Sequence, residues 1–110
     1  MKLLTKSIKR KLPELYSTEN IENPCIRVKF FDAYGSYRWY VLEGEEQENG
    51  DFLFFGLVDS GRDQELGYFR LSELKSIKYL GRYPRIERDM HLKDGEVHLK
   101  DIEGKVGIAV

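Results

Sequence analysis

A second cysteine is missing. Cys25 stands alone, so the chain cannot close an internal disulfide, and no cysteine pair offers a zinc site. A reducing, intracellular setting is the simpler expectation. Long apolar runs are missing too. The start, MKLLTKSIKRKLPELY, offers only Leu3-Leu4 before the charges at Lys6, Lys9, Arg10 and Lys11. That argues against a signal peptide, and no segment has the length of a bilayer span. Net charge is nearly missing: 18 basic against 19 acidic residues leave −1, so no global field draws in a polyanion. There is no phosphate loop, serine elbow or nucleotide fingerprint, which argues against the common enzyme classes. Repeats and low-complexity tracts are also absent.

What remains is a globular composition, 41% apolar and 34% charged over 110 residues. This suggests one domain with one real hydrophobic core. The charges are segregated. Lys2, Lys6, Lys9, Arg10 and Lys11 precede the first acid, Glu14, while Glu43, Glu45, Glu46, Glu48 and Asp51 sit together without a base.

Thr5 is placed to cap a short helix over Lys6 to Leu12, with Leu4, Ile8 and Leu12 on one face. Pro13 should end it. CIRVKFF alternates as a half-buried strand, DAYGS is a turn, and YRWYVLE is a second strand with Tyr37, Trp39 and Val41 opposite Arg38, Tyr40 and Leu42. The acidic stretch from Glu43 to Asp51 reads as a solvated hairpin ending in Asn49-Gly50. DFLFFGLV is apolar on both faces, so it belongs in the centre of a sheet covered twice. Gly56 inside it signals a bulge or a close backbone approach. QELGYFRL is a fourth strand, in which Gly67 is expected to permit close packing. Ser72 is expected to cap a second helix, ELKSIKYL. IERDMHLK alternates as a fifth strand, and the stretch after Asp94-Gly95 would add a strand or hang as a tail. The predicted fold class is α+β: a twisted antiparallel meander of five to six strands, an N-terminal helix, and a second short helix before the last strands.

The ordered words MKLLTKSIKRKLPELYSTE, VKFF, WYVLEGE, DFLFFGLV, ELGYFRLSEL and PRIERDMHLK resemble a small bacterial family catalogued as domain of unknown function 2958. The resemblance covers residues 1–93, taken as a single α+β domain, and leaves 94–110 as a C-terminal extension. It implies a setting in the bacterial cytoplasm, on plasmids and other mobile elements. It supplies no catalytic residues.

Of the fourteen aromatic residues, nine lie between Phe30 and Phe55, and sheet aromatics can serve as stacking platforms for single-stranded nucleic acid. Tyr37, Tyr40, Phe31 and Phe55 would form such a face if one side of the sheet is open; otherwise they are core. The start, KSIKRK, and the group Lys75, Lys78, Arg82, Arg85 and Arg88 are basic flanks able to meet phosphate. Glu87, Asp89 and His91 at spacing two, joined by His98 if the chain turns back at Asp94-Gly95, are a weak metal-site or hydrolase constellation against the plainer reading of a charged outer face. Cys25 has both histidines far off in sequence and reads as a small half-buried residue. In ELGYFRLSEL, Tyr68 and Phe69 are expected to fill opposite faces of the strand, while Glu65 and Glu73 remain free to bind. The leading expectation is a non-enzymatic module that binds a protein partner and needs no cofactor. The alternative is single-stranded nucleic-acid binding. The candidate binding residues are Tyr37, Arg38, Tyr40, Glu65, Tyr68, Arg85 and Arg88.

Overall fold

The computed structural model describes residues 2–107. Helix α1 (Lys6–Lys11) begins at Thr5, whose hydroxyl accepts the Ile8 N–H at 3.2 Å, and stops at Leu12, just before Pro13. Four strands follow: β1 (Val28–Asp32), β2 (Arg38–Glu46), β3 (Phe52–Asp59) and β4 (Gln64–Arg70). Helix α2 (Leu71–Ser76), a two-residue hairpin pair β5 (Lys78–Tyr79) and β6 (Tyr83–Pro84), strand β7 (Ile86–Arg88) and helix α3 (Leu99–Ile102) complete the order. The main sheet runs β4-β3-β2-β1-β7 with every neighbour antiparallel. The fold is α+β. The first four strands form the expected meander, and β7 closes the far edge beside β1.

The sheet is covered on both faces, which is why β3 carries apolar residues on both. On one face Phe30, Trp39, Val41, Phe54 and Phe69 pack beneath Leu3, Leu4, Leu12 and Leu74. On the other, Tyr40, Leu42 and Leu57 pack beneath Ile26, Val97, Leu99 and Ile102. Burying aromatic side chains on this scale is the main stabilising term available to a domain of this size.

Several local expectations are corrected. Ser72 lies inside α2 and does not cap it. Its N–H and hydroxyl instead donate to the two carboxylate oxygens of Asp51, at 3.1 and 2.6 Å, tying α2 to the β2–β3 turn. The helix ends at Ser76, and KYLGRYP folds as the β5–β6 hairpin. The strand expected over IERDMHLK is only three residues long, because the Asp89 carboxylate accepts the His91 N–H at 2.8 Å and turns the chain. Gly67 faces open space and is not a site of close packing. After Asp94 the chain forms neither a full strand nor a loose tail. Val97, Leu99 and Ile102 are buried, the Ile26 N–H donates to the Val97 carbonyl at 2.8 Å, and one bridge pairs Cys25 with His98.

Three carboxylates are built into this frame. Asp59 is fully buried; it accepts the Gly61 N–H at 2.7 Å, the Gly107 N–H at 3.0 Å and the Gln64 amide at 3.2 Å. Burial alone would push its pKa up, but those donors and the charge of Arg38 outweigh it and hold the pKa below the ordinary value. Asp32 behaves likewise: burial is overcome by Arg85 and by the Tyr34 N–H. So does Asp89, through the His91 N–H and Lys29. Lowered folded-state values mean that the unfolded chain binds more protons in acid. Stability is therefore complete above the unfolded carboxyl value, about 3.9, and is lost as pH falls through the lower folded values. Thermal melts followed by Trp39 fluorescence should be flat from neutral pH down to about 5 and fall steeply below about 4. The acid-induced loss should be smaller in Asp59→Asn, and a melting temperature that rises on acidification would refute the account.

Candidate functional site

β2 and β3 run in simple register from Arg38↔Asp59 to Val41↔Gly56, then resume at Glu43↔Phe55, so Leu42 is an extra residue. This β-bulge re-aims the side chains after it. Strict alternation would put Glu43 beside Trp39 and Val41; the bulge turns it to the opposite face, beside Phe55 and, one strand further, Tyr68. Glu43 is therefore no part of a solvated acidic hairpin. It is buried, and its carboxylate accepts the Tyr16 N–H at 2.7 Å, the Thr18 N–H at 2.9 Å and the Thr18 hydroxyl.

That tether fixes the turn between α1 and β1. Tyr16 is held at φ 71°, a backbone conformation rare for a bulky residue. Strain of this kind persists where surrounding contacts over-determine it, and it concentrates at functional sites. The result is an aromatic ring pushed outward: Tyr16 is 61% exposed, its ring centroid 6.3 Å from that of Tyr68. Tyr68 in turn leans on Phe55 at 5.0 Å.

Between this turn and the edge strand β4 lies a groove of about 270 Å³. Its apolar lining includes Tyr16, Ile21, Phe55, Leu66, Tyr68 and Leu99. Ile21, Leu66 and Tyr68 are 52%, 44% and 50% exposed, so the α3 segment that covers the rest of this face stops short of them. Glu19, Glu22 and Glu43 line the same groove, and no lysine or arginine does. Glu22 is met at the rim by Lys100 at 3.0 Å. The Tyr68 phenol titrates above its usual range: partial burial comes first, then the Tyr16 phenol beside it and the charges of Glu43 and Glu19. The groove is thus apolar and electronegative together.

Of the seven candidate binding residues, only Tyr68 belongs to this groove; Phe55, expected as part of a stacking face, also lines it. Glu65 points to the opposite face of β4, across from Val58. Tyr40 is fully buried, with the Lys29 ammonium 5.6 Å from its ring centroid, and is a core residue, not a contact surface. Tyr37 is exposed but stacks on Trp39 at 5.6 Å, and Arg38 donates to the Ser36 carbonyl at 3.0 Å. Arg85 makes a two-pronged pair with Asp32, both contacts 2.9 Å, and Arg88 donates to the carbonyls of Lys2 and Leu3, fastening the N-terminal segment to β7. Trp39, Phe52 and Phe54 are buried and Phe31 and Phe55 half-buried, so the sheet presents no open row of rings.

Cys25 and His98, far apart in sequence, meet with the sulfur 3.1 Å from Nε2. The pair sits on the bridge that docks the α3 segment, and neither residue lines the groove. Glu87, Asp89 and His91 do not converge, since Asp89 is paired with Lys29 at 3.5 Å. Among the described residues no three His, Cys, Asp or Glu side chains are placed to hold a metal ion. Among the same residues no helix is long and apolar enough to cross a membrane.

Sequence reasoning missed Tyr16, Thr18, Ile21 and Glu43. The one available signal was Gly56, a glycine inside an apolar strand, which marks a bulge or close approach in the β2–β3 pair but does not say which residue it turns.

No curated protein and no solved structure matches the chain. A family model does, over residues 3–103, including the α3 segment. With nearly the whole sequence matched, the chain belongs to the family described as protein of unknown function DUF2958.

Proposed function

We propose that this chain is a non-enzymatic interaction module that binds a protein partner through the Tyr16–Tyr68 groove, in the bacterial plasmid or mobile-element setting that the family resemblance implies. The carrying observation is an exposed apolar groove whose only ionisable lining groups besides tyrosine are glutamates. Exposed contiguous apolar surface marks interaction sites, and aromatic anchors dominate binding energy where partners meet. The negative lining selects the occupant: a segment carrying an aliphatic or aromatic side chain next to a lysine or arginine. A non-catalytic role is supported by what the carboxylates do. Asp32, Asp51, Asp59 and Asp89 all have lowered pKa values and are held by structural donors, the reverse of a poised general acid.

Selection of a random peptide library on the protein tests this reading. Enriched peptides should share a basic residue beside an apolar one, and Leu66→Asp should weaken them by about tenfold or more, the loss of one well-buried apolar anchor. Leu66 is exposed, so this variant keeps its fold, checked by Trp39 fluorescence. Absence of enrichment, or peptides indifferent to Leu66→Asp, would sink the proposal. A concentration-dependent dimer dispersed by Leu66→Asp would also overturn it, by giving the groove to a second copy.

A further inference from the structure

We infer that a second site, at the β5–β6 hairpin and separate from the groove, binds single-stranded nucleic acid. From Leu74 to Ile86 the chain holds Lys75, Lys78, Arg82 and Arg85, with Tyr79 and Tyr83 between them, and no acid. In a protein of net charge −1 this is a local concentration of positive charge. Arg85 is engaged by Asp32. Lys75, Lys78 and Arg82 are exposed, and among the described residues no carboxylate pairs with them.

The rings are presented with the charges. Tyr79 and Tyr83 face each other across the hairpin and both are exposed, with the Arg82 guanidinium 5.6 Å from the Tyr83 ring centroid. Tyr79 also stacks flat on Tyr34, centroids 4.2 Å apart and planes 2° from parallel, so its orientation is fixed before any ligand arrives. The Asp32–Arg85 pair underlies that stack, with Arg85 5.9 Å from the Tyr34 ring. At the hairpin tip Leu80 is 74% exposed at φ 55°. A branched aliphatic residue in that conformation is a genuine outlier. Beside the hairpin a cavity of about 320 Å³ has an apolar floor including Leu74, Ile77 and Pro84 and a rim of Lys2, Lys75, Lys78 and Arg85, without an acid. Rings fixed in orientation, interleaved with unpaired cations and beside a basic-rimmed apolar hollow, match what a single strand presents: flat bases on a charged backbone. A duplex hides its base faces and would use only the charge.

The test is a fluorescence-anisotropy titration of a labelled oligothymidylate with the full chain. Three to four phosphate contacts at about 0.7 each give a log–log salt slope of about −2 to −3, hence a fall in affinity of about 20- to 50-fold between about 50 and about 200 mM salt. Changing Lys75, Lys78 and Arg82 together to glutamine should reduce that slope to below about 1. Tyr83→Ala should weaken binding by about tenfold, and Tyr83→Phe should restore it, because stacking needs the ring and not the hydroxyl. Leu66→Asp, in the groove, should leave oligonucleotide affinity unchanged, which separates the two sites. Three results would each overturn the inference: no binding at the lower salt; equal affinity for a duplex of the same length or for a heparin fragment; or a glutamine variant that binds like the parent.

Discussion

Replacing Gly56 by alanine is expected to remove about 4 kcal/mol of stability or more, the range reserved for substitutions that force the backbone apart. A Cβ at this position would lie 1.9 Å from the Tyr40 carbonyl oxygen and 3.0 Å from the Val41 Cα. Both are backbone atoms of β2, so no rotamer change relieves the clash. The strands must separate where the bulge at Leu42 draws them together, and β2–β3 is the centre of the sheet. Gly67, directly across β4 in register with Gly56, is the internal control. Nothing lies within 4 Å of a Cβ built there, and its φ is not positive. Gly67→Ala should change stability by no more than about 1 kcal/mol, with a gain expected from the smaller unfolded-state entropy. Urea unfolding followed by Trp39 fluorescence distinguishes the two; equal effects would show that the close approach of β2 and β3 is not what Gly56 serves.

Glu43→Ala is expected to cost about 3 kcal/mol, because hydrogen bonds to a charged acceptor contribute about 1.5–3 kcal/mol each and their losses are not additive. The Tyr16 and Thr18 N–H groups and the Thr18 hydroxyl would lose their acceptor together, and Thr18 is buried. The consequence reaches the groove. Without the carboxylate the turn is left with local ties, such as the Ser17 N–H to the Glu14 carbonyl at 3.1 Å and the Glu19 N–H to the Tyr16 carbonyl at 3.4 Å, so the turn from Glu14 to Glu22 should relax and the Tyr16 ring should leave Tyr68. Amide exchange at Tyr16 and Thr18 should accelerate while that of β1 and β3 changes far less. Peptides selected on the groove should lose affinity although Glu43 itself is buried beneath it. Glu43→Gln keeps one acceptor oxygen and should fall between the two. If exchange in the turn is unchanged in Glu43→Ala, the tether is not what orders it.

The two substitutions also mark where sequence reasoning was strong and where it failed. The Thr5 cap and the Pro13 stop are read from neighbours a few residues apart, and both stand in the structure. The alternation expected of Ile26, Val28 and Phe30 holds only in part: β1 starts at Val28, Ile26 packs on the opposite face from Val28 and Phe30, and Lys29 is buried. The central, doubly covered position of β3 followed from apolar residues on both of its faces. Gly56 was legible as a bulge or close-approach signal because a glycine in an otherwise apolar strand has few other uses. Glu43 was not legible as a buried group. Grouped with Glu45, Glu46 and Glu48 it has the look of solvated charge, and only the shift in register at Leu42 removes it from that set. Ser72 failed for a related reason: a serine near a helix start can serve as the cap or donate to something outside, and Asp51, twenty-one residues earlier, claims it. Arg85 and Arg88 were grouped with the basic flank, but Asp32 and the N-terminal carbonyls engage them.

The α+β class, the order and approximate extent of the first helix and the meander, and the family are all legible in local pattern. Those depend on periodicity, on caps and breakers, and on words read in order. Long-range packing sets which face Glu43 serves, that Tyr16 and Tyr68 share a groove, that Cys25 meets His98, and that Tyr34 stacks on Tyr79. Each of these brings together residues separated by more than twenty positions, and such meetings are fixed by strand register and by a single extra residue in β2. A register shift of one reverses every side chain after it, so local pattern cannot specify the outcome.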